Sequence, residues 1–195
     1  MPEKFKMGYL EIIMGPMWAG KTSKLIQYYN YYLKQHQNVL VINYSEDTRY
    51  TTKNYLFSHD KLQIPCKKTK ILAHISDIEQ NKQSETFKNC HVILINECQF
   101  FPDIVPWVKI AIEKYNKIIH ICGLDCDFKR EPFGNWLDLI RHADSVSKLV
   151  SKCNKCNCRN AIYSHRLSDS KKQILVGVNE YEPLCRRCYL SKHVF

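Results

Sequence analysis

A chain of 195 residues, 45% hydrophobic and 25% charged, has the composition of a globular fold and room for one domain plus a small appendage. No run of 18 apolar residues occurs and MPEKFKMGYL carries no signal-peptide core, so the expectation is a cytoplasmic protein without a membrane span. The net charge is +10, and residues 151–195 hold nine Lys/Arg against three Asp/Glu, a basic tail that suits phosphate-bearing ligands, nucleic acid or a plain solvated surface.

In chain order, YLEII (9–13) reads as a short buried strand. KTSKLIQYYNYYLKQHQ (21–37) sets Leu25, Ile26, Tyr29 and Leu33 at helical spacing with no breaker, so a helix is expected. NVLVIN (38–43), HVILIN (91–96) and KIIHIC (117–122) are further apolar runs of strand length. DIVPWVKIAIEKYN (103–116) reads as a helix that tolerates Pro106 in its first turn. Such strands alternating with helices predict an α/β fold, a mainly parallel sheet covered on both faces. Ligands bind these sheets at the carboxyl ends of the strands. Gly15, Tyr44–Ser45, Glu97 and Gly123 each follow an apolar run and should therefore converge. Near residues 143–150 the alternation gives way to short segments, charges and paired cysteines. Two units are expected, 8–145 and 146–195, the second too short for a large core and suited to a metal.

The first turn carries the most specific chemistry. GPMWAGKT (15–22) has the spacing G-x-x-x-x-G-K-[ST] of a phosphate-binding loop between strand and helix. In such a loop the backbone N–H groups and the helix N-terminus bind phosphate oxygens, Lys21 reaches the β/γ-phosphates and the Thr22 hydroxyl meets Mg²⁺. An acidic group is needed at a nearby strand end, and the third strand ends Asn96–Glu97. Glu97 suits either metal support or general-base work; Asn96 is a weaker metal partner than Asp. YSEDTRY (44–50) offers Asp47 and Arg49, and an Arg beside a transferring phosphoryl stabilises its charge. Phe100, Phe101, Phe128, Phe133 and Tyr181 are candidate stacking faces for a nucleobase, or ordinary core.

Ten cysteines without a signal peptide argue against a disulfide scaffold. Cys66, Cys90, Cys98, Cys122 and Cys126 lie among apolar runs and read as small buried hydrophobes. Cys153-Asn-Lys-Cys156 and Cys185-Arg-Arg-Cys188 form a C-x₂-C…C-x₂-C set suited to a closed, structural Zn²⁺ site, with Cys158 an alternative ligand and a redox dithiol the competing reading.

Taken in order, GPMWAGKT, DTRY, FSHD, NECQFF, GLDCDFKREPFG, CNKC and CRRC resemble the type II, zinc-containing thymidine kinases over residues 8–190, in a compact form similar to viral or bacterial members. That resemblance implies a P-loop (RecA-like) core and a small C-terminal zinc-ribbon domain with a lasso-type loop. It implies transfer of the γ-phosphoryl of Mg-ATP to the 5′-hydroxyl of thymidine, or of deoxyuridine analogues, to give dTMP for DNA synthesis. Gly15, Pro16, Met17, Trp18, Ala19, Gly20, Lys21 and Thr22 match the ATP phosphate site, and Asp47, Thr48 and Arg49 a polar segment beside the phosphates and Mg²⁺. Asn96, Glu97, Cys98 and Gln99 match the segment holding the catalytic base, Glu97, with Lys21 and Arg49 as charge stabilisers. Leu124, Phe100 and Phe128 match the thymine pocket. Tyr181 and a lid from Ser164 to Gly177, with contacts at Gln173, Ile174, Leu175, Val176 and Gly177, match the loop that closes over the nucleoside. Cys153, Cys156, Cys185 and Cys188 match the zinc ligands. The resemblance also implies a homotetramer, dTTP as feedback inhibitor, and no nucleic-acid or membrane partner.

The chain departs from the family pattern at Asn96 for Asp, Cys98 and Cys126 for Gly, Asp127 for Thr, and Trp18–Ala19 for Phe-Ser. Two rivals stay open on the residues alone: a nucleic-acid-stimulated ATPase using the basic tail, and a nucleotide-binding protein without transfer, suggested by Asn96.

Overall fold

The computed structural model describes residues 7–47, 53–175, 177 and 180–192. Its centre is a six-stranded sheet of β1 (Tyr9–Met14), β2 (Val39–Tyr44), β5 (Lys67–Thr69), β6 (Val92–Ile95), β7 (Ile118–Gly123) and β8 (Ser145–Lys148), in the order β5-β2-β6-β7-β1-β8. Every pairing in it is parallel. The hairpin of β3 (Tyr55–Phe57) and β4 (Gln63–Pro65) lies between β2 and β5 in sequence. β8 straddles the boundary expected after residue 145, and it pairs with β1 through Lys148. Its alternating exposure, typical of an edge strand, hides it from a search for continuous apolar runs.

Period-two alternation divides the core between the two faces of the sheet. Leu10, Ile12, Ile93, Ile95, Ile119 and Ile121 pack with Trp107, Val108 and Ala111 of α3 (Ile104–Glu113) and with Trp136. Ile13, Val41, Val92, Leu94 and Cys122 pack with Leu25, Ile26 and Tyr32 of α1 (Lys21–Lys34). α1 stops at Lys34 rather than at residue 37, because His36 turns left-handed at φ 56°. A short helix, α2 (Glu85–Asn89), is capped by the Ser84 hydroxyl, which accepts from the Phe87 N–H. Cys66, Cys90, Cys98 and Cys122 are buried as expected, whereas Cys126 is half-buried.

The α1 face also contains a buried polar cluster. Glu11 of β1 meets His120 Nδ1 of β7 at 2.8 Å and accepts from Lys24 Nζ of α1 at 2.9 Å. The Tyr32 hydroxyl lies 2.9 Å from His120 Nε2, and the Tyr28 ring stacks on His120 at 4.0 Å. Helix and sheet are thus locked by charge as well as by apolar contact.

The C-terminal unit is built from two small antiparallel pairs, β9 (Ser151–Lys152) with β10 (Asn160–Ala161) and β11 (Tyr163–Arg166) with β12 (Tyr181–Leu184), followed by α4 (Arg186–Leu190). Its buried cluster is Cys153, Ala161, Leu184, Cys185, Cys188 and Tyr189. Half of that core is thiol, so apolar burial alone contributes little there.

Burial would raise the Glu11 carboxyl, but its bonds from His120, Tyr28 and Lys24 outweigh this and hold it at about 2, against 4.5 when unperturbed. A depressed carboxyl stabilises the fold above its unfolded value and loses that contribution as pH falls toward the folded one. Stability should therefore drop between about pH 4.5 and 2, by on the order of 3 kcal/mol from this group. Urea unfolding of Glu11→Gln across that range should show a correspondingly flatter pH dependence; identical slopes would remove Glu11 from the account.

Candidate active site

Residues 15–20 carry β1 into α1. Gly15 has φ 149°, and a Cβ there would stand 2.4 Å from the Leu149 carbonyl oxygen, so only glycine lets the loop cross the exit of β8. Gly20 holds the α1 N-cap at φ 80°. Lys21 Nζ folds back over the loop and donates to the carbonyls of Gly15 (3.0 Å) and Pro16 (2.7 Å). The Ser164 hydroxyl accepts from the Met17 N–H at 2.9 Å, tying β11 to the loop. Backbone N–H groups at a helix start beside an ammonium form an anion cradle.

The strand ends beside it are joined by a chain of buried polar bonds. The Thr22 hydroxyl donates to Asn96 Oδ1 (3.2 Å), Asn96 Nδ2 to Asn43 Oδ1 (2.9 Å), and Asn43 Nδ2 to Asp47 Oδ2 (3.2 Å). The Cys122 thiol also points at Asn96 Oδ1 (3.0 Å). Asn43 and Asn96 are each 2% exposed, so these bonds satisfy groups that water does not reach. One residue on, Glu97 adopts φ 58°, a left-handed conformation uncommon outside glycine. Its Oε2 accepts from Gln99 Nε2 at 2.6 Å, and Gln99 Oε1 accepts from the Leu124 N–H at 3.1 Å. Because that N–H must meet an oxygen, the amide orientation of Gln99 is set and its nitrogen faces Glu97.

A single cavity runs from the phosphate loop past Glu97 into an aromatic pocket. Met17, Trp18, Ala19, Gly20, Lys21 and Thr22 line one end, with Asp47, Glu97 and Gln99 following. Leu124, Phe100, Phe128, Phe133, Gln173, Ile174, Leu175, Gly177 and Tyr181 line the aromatic part, and Ser164, bonded to Met17, lines the cavity beside the phosphate loop. Phe100 stacks on Tyr44 at 4.7 Å and meets Phe133 edge-on at 5.2 Å. The pocket rests on the C-terminal unit, where the Tyr189 hydroxyl of α4 donates to the Phe128 carbonyl at 2.6 Å.

Several expected site residues lie elsewhere. Gly15 and Pro16 are part of the loop, their carbonyls bonded to Lys21, but they do not line the cavity. Asn96 is buried behind the cavity and acts through Thr22. Cys98 does not line the cavity: it is fully buried in the α3-side core, because the left-handed turn at Glu97 sends the next side chain inward. Phe101 likewise packs in that core. The chain between β11 and β12 spans 167–180, so Ser164 lies within a strand rather than at a lid's start. Thr48, Arg49 and Val176 fall outside the described residues.

Sequence reasoning missed Asn43, Phe57, His59 and Asp127 as site residues, while Tyr44, expected at the converging strand ends, lines the cavity. Asn43 had a readable signal, a polar residue ending an apolar strand; His59 sat in the FSHD motif without a role. His59 stacks on Trp18 at 3.8 Å, and both line the cavity.

The thiols of Cys153, Cys156, Cys185 and Cys188 come together with all four sulfurs within 4.8 Å of one another, an arrangement able to hold a metal. The Cys156–Cys185 sulfur separation is 3.9 Å, matching the edge of about 3.8 Å set by tetrahedral Zn–S bonds. Cys158, exposed, is not part of the group.

The family model for thymidine kinase matches residues 8–189. Curated relatives include Thymidine kinase a of Arabidopsis thaliana, 30% identical over 98% of this chain and 79% of that one. Thymidine kinase of Variola virus is 35% identical over 94% of this chain and 98% of its own. That of Yaba monkey tumor virus is 38% identical over 95% and 97%.

Gly123 tests the packing at the site. A Cβ there would stand 2.6 Å from Gln99 Oε1 and 2.9 Å from the buried Trp136 ring. Gly123→Ala should cost about 1–3 kcal/mol of stability in urea unfolding. A midpoint equal to that of the native protein would contradict so close an approach.

Proposed function

The chain belongs to the thymidine kinase family, and from that premise we propose how its residues share the reaction. As such a kinase it transfers a phosphoryl group from ATP to thymidine and yields dTMP. The observation that carries the assignment of roles is that Glu97 lines the same cavity as the phosphate loop and the aromatic side chains.

ATP sets its phosphates against the loop from Gly15 to Thr22, where Lys21 exchanges the carbonyls of Gly15 and Pro16 for phosphate oxygens. Thymine lies among Phe100, Phe128 and Phe133, with Gln173, Ile174, Leu175 and Gly177 of the lid beside it. The 5′-hydroxyl then meets Glu97, which takes its proton as the γ-phosphoryl moves in line. Gln99 fixes the Glu97 carboxylate through Oε2, so the base is oriented before substrate arrives. Lys21 and Arg49 stabilise charge on the transferring group. Thr22 and Asp47 are the residues that would hold Mg²⁺, which would supply positive charge against the phosphates. Their link through Asn96 and Asn43 holds the hydroxyl and the carboxylate in one frame. The four-cysteine set suits a structural Zn²⁺, since its sulfur spacing fits and four thiolates leave no coordination position for substrate.

Deoxyuridine analogues as further substrates, inhibition by dTTP, a homotetramer and a cytoplasmic location are proposed on family resemblance.

Purified protein with Mg-ATP should convert thymidine to its 5′-monophosphate, while single-stranded DNA should leave ATP hydrolysis unchanged. DNA-stimulated hydrolysis without a nucleoside product would overturn the acceptor. Glu97→Gln should lower turnover by at least about 100-fold with ATP affinity within about twofold; native turnover would remove Glu97 as base. Metal analysis should give about one zinc per chain, lost in Cys185→Ser; metal-free, fully active protein would refute the zinc site.

A further inference from the structure

Resting on the reading above, in which the lid and Phe128 flank the base, we propose that Arg166 is the positioning residue of the nucleoside lid. It holds the lid's carbonyls in place from behind and couples them to the ring that faces the base.

Arg166 ends β11 and is 4% exposed, yet it does not line the cavity. Its guanidinium sits 3.8 Å over the Phe128 ring and 5.0 Å from that of Tyr181, both of which do line it. Nη1 donates to the carbonyls of Ser170 (3.0 Å) and Lys172. Nη2 donates to the carbonyl of Gln173 (3.0 Å) and to the Tyr181 hydroxyl, which itself donates to the Leu175 carbonyl at 3.1 Å. Four carbonyls within residues 170–175 thus depend on one cation, directly or through one hydroxyl.

That segment has no helix or strand to satisfy its backbone, so its shape follows from these bonds. A planar guanidinium can bond several carbonyls at its edge while its face lies on an aromatic ring; a lysine ammonium cannot do both. Arg166 Nε is buried and has no hydrogen-bond partner among the described residues, so the side chain is committed to its Nη edge. Asp127 is a second anchor. Asp127 Oδ2 accepts from Gln173 Nε2 at 3.0 Å, and its Oδ1 accepts from the Lys129 and Glu131 N–H groups. Gln173 is therefore held by its main chain to Arg166 and by its side chain to Asp127, with Phe128 next to Asp127 in sequence. Residues 170–175 are thus held before nucleoside binds, which spares binding part of that entropic cost. Among the described residues none of these bonds of Arg166, Asp127 or Gln173 reaches the phosphate loop, so the effect should fall on the nucleoside more than on ATP.

Arg166→Met and Arg166→Lys are to be compared with the unaltered full chain by steady-state kinetics in thymidine and in ATP, and by amide hydrogen exchange. Expected for Arg166→Met is a rise of about tenfold or more in the thymidine KM, with the ATP KM within about twofold and kcat within about threefold. Arg166→Lys should fall between the two. Amides of 167–175 should exchange faster in Arg166→Met without thymidine and regain protection when thymidine saturates. An unchanged thymidine KM overturns the proposal. So does a parallel rise in both KM values with faster exchange throughout 151–190, which marks a merely structural role. Should Arg166→Met lose its metal and fail to fold, Tyr181→Phe keeps the ring and cuts the relay to Leu175. It should raise the thymidine KM about threefold with the ATP KM unchanged, and a native value overturns the proposal. The unaltered enzyme separates the two readings: if it does not phosphorylate thymidine the acceptor is wrong, while lid exchange still reports what Arg166 holds.

Discussion

Buried carboxamides at the carboxyl edge of a parallel sheet set the geometry of this site. All the strands of such a sheet point the same way, so their last residues share one rim, and polar groups there must pair with one another or stay wet. Asn43 and Asn96 pair with each other, and the pair is extended to Thr22 on one side and Asp47 on the other. Gln99 does the same for β6 and β7, between Glu97 and the Leu124 N–H. An amide both donates and accepts, so each member fixes the orientation of the next. The Asn at position 96 fits this logic: a carboxylate there would have no proton to give Asn43.

The aromatic pocket depends on a second unit with little core of its own. The Tyr189 hydroxyl supports Phe128, the Ser164 hydroxyl meets the phosphate loop, and Arg166 gathers the chain between β11 and β12. Ser164 and Arg166 lie two apart on β11 and share a face, so one short strand reaches both ends of the cavity. The four thiols pack where a larger domain would place aliphatic side chains. A metal cross-link among them would hold this unit together, which connects a site outside the cavity to its shape.

Much of this was legible in order along the chain. The strands at 9–13, 38–43, 91–96 and 117–122 were readable because a sheet buried on both faces needs continuous apolar runs. The phosphate loop was readable because its glycines answer local backbone demands, and the thiol quartet because tetrahedral ligation tolerates few spacings. The edge strand β8 was not, since half of it faces solvent. Cys98, matched to the segment of the catalytic base, is sent into the core by the left-handed turn at Glu97, and Phe101, open between a stacking face and core, packs in the core.

The sequence by itself determined the α/β alternation, the loop that meets phosphate, the acidic residue at the third strand's end and the four-thiol set. Each rests on local geometry or on ligand spacing, which a linear string records. Only the tertiary structure decided that Asn43 meets Asn96, that Ser164 reaches Met17, that Asp127 holds Gln173, and that Arg166 lies behind Phe128 beneath the lid. Those pairs are distant in sequence, and their bonds arise from strand order and burial, where an unpaired polar group away from water must find whichever partner the packing brings to it.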